Sequence, residues 1–100
     1  LAGPVGAADF NPLGGAGSGA ALTGKTFSYA DGARQVFYES GRTLYEHGRP
    51  SWGYWEVRGD QYCSQWPPAA GWACYDVTSD GTAVRFQGDS GTVYEAVPAP

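Results

Sequence analysis

The stretch that decides the fold is residues 53–77, which read GYWEVRGDQYCSQWPPAAGWACYDV. Successive side chains of a β-strand point to opposite faces, so Trp55 and Val57 share one face while Glu56 lies on the other. The Gly59-Asp60 dipeptide that follows is typical of a two-residue hairpin turn. The stretch therefore predicts a hairpin of amphipathic strands that keeps its charged face in water.

The two cysteines, Cys63 and Cys74, lie eleven positions apart on either side of a turn-like segment. We interpret them as one intramolecular disulfide, because two cysteines and a single histidine cannot complete a four-ligand zinc site without distant carboxylates. Two free thiols and metal ligation are the alternatives. Direct pairing of the cysteines places Tyr62 opposite Tyr75, on the core face. Since disulfides persist in oxidising compartments, the sequence predicts a periplasmic or secreted protein.

Turn signals recur about every eight to eleven residues from Asp31-Gly32 onward. The segments between them are eight strand candidates: residues 25–30, 34–39, 42–47, 51–58, 61–66, 72–78, 82–87 and 92–97. The connections are too short for parallel crossovers, so sequential strands pair as hairpins. The fold class predicted is all-β, an antiparallel up-and-down meander that closes into a small barrel when the last strand pairs with the first. An open meander is the alternative.

The chain is interpreted as one domain with two appended segments. Residues 1–24 contain seven glycines and two prolines and predict a Gly-rich arm with at most one short helical turn. Residues 25–97 form the single β domain, and residues 98–100 form a tail. We expect the core to be drawn from ten side chains: Phe27, Val36, Leu44, Trp55, Val57, Tyr62, Tyr75, Val77, Val84 and Phe86.

Composition excludes several classes of function. A net charge of −4 and an isoelectric point near 4.6 do not fit a protein that binds nucleic acid or an anionic membrane. No apolar run approaches the length of roughly 18 residues that a membrane span needs. His47 lies beside Gly48 in a turn and belongs to no recognisable catalytic or metal-binding motif. We therefore expect no enzyme activity, no metal and no cofactor.

The aromatic residues are the most informative feature of the sequence. Seven of them crowd into 24 residues: Trp52, Tyr54, Trp55, Tyr62, Trp66, Trp72 and Tyr75. By strand alternation Trp52, Tyr54 and Trp72 point away from the core, and clustered exposed aromatics are typical of protein interfaces. These three residues are the predicted binding site; the alternative is that the arm or the loops cover the rings.

The pattern Gly53-x-Trp55-x-Val57-x-Gly59-Asp60-x-Tyr62-Cys63, followed by Cys74-Tyr75-x-Val77, carries a family likeness. It resembles a family of small exported bacterial domains of unknown function. The resemblance implies a periplasmic or secreted β domain with a disulfide and transfers no catalytic residue. In outline the chain is also similar to periplasmic metalloprotease inhibitors, which are eight-stranded barrels with one disulfide and an N-terminal arm. The cysteines of this chain lie later and closer together than theirs.

Three functions follow from these observations. The leading one is a non-enzymatic exported binding module that presents its aromatic surface to a protein partner. The first alternative is a protease-inhibitor-like barrel that acts through its N-terminal arm. The second is a carrier of a small-molecule ligand in the barrel interior. Because the strands are short and the aromatics many, we expect a filled interior that retains no ligand.

Overall fold

The chain folds into an eight-stranded antiparallel barrel with one helix and one additional short strand. The computed structural model describes residues 10–100, so the sequence prediction for residues 1–9 lies outside the described part. In chain order the elements are β1 Asn11–Pro12, α1 Gly14–Leu22, β2 Thr26–Tyr29, β3 Arg34–Phe37, β4 Arg42–Glu46, β5 Pro50–Arg58, β6 Gln61–Gln65, β7 Trp72–Ser79, β8 Val84–Gln87 and β9 Val93–Pro98.

The meander and its closure are both confirmed. Strands β2 to β9 pair antiparallel in sequence order, and β9 pairs with β2 so that Ala96 lies opposite Tyr29. The eight predicted strands correspond to β2–β9, with boundaries that agree within two residues. The short strand β1 pairs with Thr78 and Ser79 of β7, beyond Asp76, which lies opposite the first residue of β6. Among the described strands, all eight of the barrel therefore have partners on both sides, which removes the free edges of the sheet.

The alternating hairpins give the barrel two distinct ends. The turns at residues 30–33, 47–49, 66–71 and 88–92 share one end, which we call the open end. The turns at residues 38–41, 59–60 and 80–83 share the other, which we call the helix end because α1 lies there.

The disulfide and the register that it implies are confirmed. Cys63 of β6 lies opposite Cys74 of β7 and is bonded to it, and Tyr62 lies opposite Tyr75. Cys63 is fully buried although it lies on the outer face of the barrel. In the chain-entropy model, closing a loop of this size stabilises the fold by roughly 3 kcal/mol, a large share of the stability of a small domain.

The core fills the half of the barrel nearest the helix end. Phe37 is fully buried and makes edge-to-face contacts with Phe27, Trp55 and Tyr62, at ring-centroid distances of 6.0, 5.4 and 5.6 Å. The buried members of the core cluster are Leu22, Phe27, Phe37, Trp55, Tyr62, Val77, Val84, Phe86 and Ala96.

Two residues expected in the core are on the outside of the barrel. Val36 and Leu44 are only half-buried and lie opposite each other on the outer face of β3 and β4. Their places in the interior are taken by Gln35, Phe37 and Thr43, all of which are buried. The prediction was wrong because it assigned interior positions to apolar residues, whereas the polar Gln35 and Thr43 satisfy each other inside the barrel.

The described part of the predicted arm is folded against the barrel. Its residues 14–22 form α1, which is longer than the single turn expected, and Leu22 is fully buried in the core cluster. The N–H of Gly15 donates to Oδ1 of Asp60 at 3.0 Å, which ties the start of α1 to the β5–β6 turn. A helix with this many glycines has little stability of its own, so packing against the barrel holds it.

At the other terminus β9 extends to Pro98, one residue into the predicted tail.

A matched pair of glycine substitutions tests how α1 is seated. A Cβ on Gly15 would lie 2.3 Å from the carbonyl oxygen of Gly59, whereas a Cβ on Gly19 would meet nothing within 4 Å. We expect Gly15→Ala to destabilise the protein by about 1–3 kcal/mol through forced displacement of the helix. Gly19→Ala should stabilise it by about 0.5–1 kcal/mol, because alanine is the better helix former. Urea denaturation of both variants measures the difference; equal effects would contradict this seating of α1.

Candidate ligand cavity

The open end of the barrel contains a cavity of about 740 Å³. The expectation of a filled interior is therefore wrong. Residues of the turns at the open end, Ala30, Asp31 and Pro67, belong to its lining, so its mouth lies among these turns. Its wall includes seven interior-facing aromatic side chains: Tyr29, Tyr45, Tyr62, Trp66, Tyr75, Phe86 and Tyr94.

The cavity is open because small residues occupy interior positions of β5 and β6. Ser51 and Ser64 line the cavity, at places where a barrel of this size needs large side chains to fill it. Gly53 lies between Ser51 and Trp55 on the interior face of β5, and the ring of Trp66 fills the place beside it. A Cβ on Gly53 would be 2.6 Å from Trp66 Cε3. The small residues Ser51 and Ser64 were the signal in the sequence that could have predicted the cavity.

A buried glutamine forms the polar floor of the cavity. Gln35 is 3% exposed; its Nε2 donates to Thr43 Oγ1 at 3.0 Å and to the Tyr62 hydroxyl at 3.3 Å. Its Oε1 accepts from the Tyr29 hydroxyl at 2.6 Å. Thr43 in turn donates to the carbonyl oxygen of Val36 at 2.8 Å. Because both amide hydrogens and the amide oxygen are used, the network fixes the tyrosine rings on either side of the floor.

The wall consists of aromatic rings that contact one another in several orientations. Tyr62 and Tyr75 stack with centroids 5.7 Å apart, and Tyr75 meets Tyr94 edge to face at 6.2 Å. On the opposite side Tyr45 meets Trp66 edge to face at 6.1 Å. The indole Nε1 of Trp66 donates to Oγ of Ser64 at 3.1 Å, which holds this ring over the interior.

Three phenol groups on the wall are available to a ligand. Among the described residues, the hydroxyls of Tyr45, Tyr75 and Tyr94 have no hydrogen-bond partner, whereas those of Tyr29 and Tyr62 are bonded to Gln35. A few polar groups that converge on an otherwise aromatic pocket are typical of small-molecule sites.

The charges at the cavity are acidic. Its lining contains Asp31 and Glu95, and among the described lining residues none is Lys or Arg. Glu95 is neutralised by Arg85, whose Nε lies 2.7 Å from Glu95 Oε1. Asp31 accepts from the N–H of Ala33, and its Oδ2 lies 3.9 Å from Nδ1 of the exposed His47. Asp31 is therefore the acidic group of the mouth that no arginine neutralises.

The three predicted binding residues occupy outer-face positions of their strands. Trp52 also belongs to the lining of the cavity, whereas Tyr54 and Trp72 do not. Trp52 and Tyr54 are 47% and 42% exposed, and the Arg42 guanidinium lies over both rings, 5.0 and 5.3 Å from their centroids. Tyr38 stacks on Trp52 at 5.9 Å. Trp72 is only partly exposed, because the Arg58 guanidinium stacks on it at 4.5 Å. The structure thus brings Trp52 and Tyr54 together and sets Trp72 apart.

Other features of the described residues bear on the function less directly. Within residues 10–100 no group of three or more His, Cys, Asp and Glu side chains is placed to hold a metal ion. No helix in this range is long and apolar enough to cross a membrane. No protein-family model, curated protein or solved structure matches the chain.

The buried tyrosines predict an alkaline limit to stability. Burial is the main cause that raises the pKa of Tyr29 and Tyr62 above the ordinary value of 10.0. The folded state therefore keeps these phenols protonated at a pH where the unfolded chain ionises. Their contribution is complete below pH 10 and is lost as the pH rises toward the folded-state pKa.

We expect the free energy of unfolding to fall above about pH 10, by about 1.4 kcal/mol per pH unit for each phenol that stays protonated. Urea denaturation between pH 8 and 11.5 measures this slope. Tyr29→Phe should make the slope shallower, and an unchanged slope in that variant would contradict the assignment.

Proposed function

We propose that the protein is a non-enzymatic, exported binding protein that holds one small, largely apolar organic molecule in the cavity of its barrel. The observation that carries the proposal is the cavity of about 740 Å³ at the open end. This volume lies within the range of about 300–1,000 Å³ that is typical of small-molecule pockets.

The construction of the barrel supports a site that exists before the ligand arrives. The core cluster and α1 close the helix end, and the hydrogen bonds of Gln35 hold the floor. Contacts between neighbouring rings restrain the wall. A ligand that enters such a cavity restricts the motion of few additional side chains. Little of its binding free energy is therefore lost to conformational entropy.

Export is part of the proposal and is supported by the disulfide. Cys63 and Cys74 are bonded to each other, and no free cysteine occurs in the described residues. Disulfides of this kind persist where the environment is oxidising, as in the periplasm or outside the cell.

Binding of a neutral fluorescent probe tests the proposed site. N-phenyl-1-naphthylamine should bind in a 1:1 ratio, with a blue shift and a gain in fluorescence as it enters the aromatic cavity. Ser51→Phe places a ring at the mouth and should weaken binding about tenfold or more by occupying ligand volume. The matched control is Thr82→Phe, which adds the same ring to an exposed turn at the helix end and should bind the probe like the original protein.

Absence of saturable binding would overturn the small-molecule proposal. Equal loss of binding in both phenylalanine variants would also contradict the placement of the site, since position 51 lines the cavity and position 82 does not.

A second candidate function is the binding of a protein partner at the outer aromatic surface, which we define as Tyr38, Arg42, Trp52 and Tyr54. The observation that favours it is the exposure of Trp52 and Tyr54 on either side of the Arg42 guanidinium. Tryptophan, tyrosine and arginine are the residues most enriched among energetically dominant interface contacts. Trp72 is a weaker anchor, because its ring is already partly covered by Arg58.

Alanine substitutions test this surface against a partner isolated from a periplasmic extract and then purified. Trp52→Ala and Tyr54→Ala should each weaken binding by about 1–3 kcal/mol in calorimetry and leave the melting temperature nearly unchanged. Val97→Ala removes an exposed apolar side chain from β9 and serves as the control. Wild-type affinity in both aromatic variants would remove the surface from consideration.

The inhibitor-like alternative depends on the N-terminal arm. Residues 14–22 are packed against the barrel as α1, and Leu22 is part of its core. A segment that reaches into a protease cleft would therefore have to come from residues that precede α1, and residues 1–9 lie outside the described part of the chain.

A further inference from the structure

The cavity wall is built mainly from the faces and edges of aromatic rings. Tyr45 and Trp66 are inclined at 75° to each other, and Tyr75 and Tyr94 at 79°. Neighbouring rings that are nearly perpendicular surround a central space in several orientations. Aromatic faces carry the negative part of the ring quadrupole, and cages of such rings hold alkylated ammonium groups in other proteins.

The fixed charges around the cavity also favour a cation. Asp31 contributes a carboxylate at the mouth, and among the described lining residues no lysine or arginine is present. Arg34 and Arg49 lie at the same end of the barrel but line a separate, smaller pocket together with Glu46. Arg85 is turned away: it pairs with Glu95 and lies 3.7 Å over the ring of Phe10.

These features make the cavity a poor host for an anion. A carboxylate, sulfonate or phosphate that entered it would lose its hydration and would meet no cationic partner among the described lining residues. The phenols do not supply a positive charge, since a tyrosine is either neutral or anionic. An organic cation, in contrast, would meet ring faces inside and a carboxylate at the mouth.

We propose that the cavity selects an organic cation, such as an alkylated ammonium with an aromatic or alkyl substituent, over neutral and anionic molecules of the same shape. This inference rests on the proposed small-molecule function and names the class of ligand for the same site. The selectivity arises from cation–π contacts with the tyrosine and tryptophan wall and from Asp31 at the mouth.

Three nearly isosteric probes separate charge from shape. They are benzyltrimethylammonium, neopentylbenzene, in which carbon replaces the nitrogen, and 2,2-dimethyl-3-phenylpropanoate, in which a carboxylate replaces one methyl group. Each is titrated into the whole protein at pH 8. Binding is followed by the backbone amide resonances of Gln35 and Ser64 and by the side-chain amide resonances of Gln35; both residues line the cavity.

We expect the cation to bind with a dissociation constant about fivefold or more below that of the hydrocarbon, the order of magnitude of cation–π attraction. The carboxylate should cause no saturable shift. If the hydrocarbon binds as tightly as the cation or more tightly, the cation proposal is overturned while the small-molecule function stands. If no probe shifts the cavity resonances and N-phenyl-1-naphthylamine also fails to bind, the small-molecule function itself fails.

Variants of one wall residue show whether ring faces cause the selectivity. Tyr75 is partly buried, lines the cavity, and its hydroxyl has no partner among the described residues. Tyr75→Leu should weaken binding of the cation about tenfold and that of the hydrocarbon by less than about twofold. Tyr75→Phe keeps the ring and should restore the affinity for the cation. The control Phe10→Leu removes a ring that does not line the cavity and should change neither affinity.

The charge at the mouth is tested separately. Asp31→Asn keeps an oxygen for the N–H of Ala33 and should weaken cation binding by about two- to threefold at low salt. It should leave the affinity for neopentylbenzene unchanged. Glu39→Gln removes the same charge from the turn at the helix end and serves as the control. Equal losses of cation affinity in Asp31→Asn and Glu39→Gln would assign the effect to net charge and would remove Asp31 from the proposed site.

Discussion

Pairing of β9 with β2 is the constraint on which the rest of the structure depends. Once these strands join, the sheet is a closed barrel of eight strands, and its interior has a width that the chain must either fill or leave empty. Near the helix end large residues fill it, with Phe37 at the centre and Leu22 inserted from α1. Near the open end the small residues Ser51 and Ser64 leave it partly empty. The position of the cavity therefore follows from barrel closure together with the sizes of a few interior residues.

Gln35 lies at the boundary between the filled and the open half. A buried primary amide with unused donors or acceptors would cost about 1–3 kcal/mol for each group left without a partner. Here Thr43, Tyr29 and Tyr62 use both amide hydrogens and the oxygen, so a polar side chain stays inside the barrel at little cost. The same bonds orient two of the rings that a ligand would touch, which links the stability of the floor to the shape of the site.

The sequence was sufficient to predict the fold because its strongest signals are local or covalent. Regular turn dipeptides define the hairpins, and the two cysteines determine the register of β6 on β7. The prediction from the sequence failed where a tertiary contact overrides a local pattern. Polar Gln35 and Thr43 displaced Val36 and Leu44 from the interior, since the hydrogen bond between them cannot be read from either strand alone. The glycine-rich helix α1 was missed in large part because its stability comes from packing against the β5–β6 turn.

The site was predictable only in part for a related reason. Strand alternation correctly placed Trp52 and Tyr54 outside, but it carries no information on Arg58, which covers part of Trp72 from another strand. The cavity exists because several interior residues are small. A prediction that counts aromatic residues overlooks the small ones. Ser51 and Ser64 can be recognised as lining residues only when the pairing of β5 with β6 places both in the same part of the interior.

The position of the disulfide completes this relation between packing and function. Cys63 lies between Tyr62 and Ser64 along β6, and its partner Cys74 precedes Tyr75 on β7, so the bond spans the outer face of the cavity wall. The cavity deprives the side chains that line it of some packing contacts. A covalent bond between the two strands restrains them without occupying any interior volume. The barrel thus keeps Tyr62 and Tyr75 in register by a bond on the outside, which takes up none of the volume of the cavity.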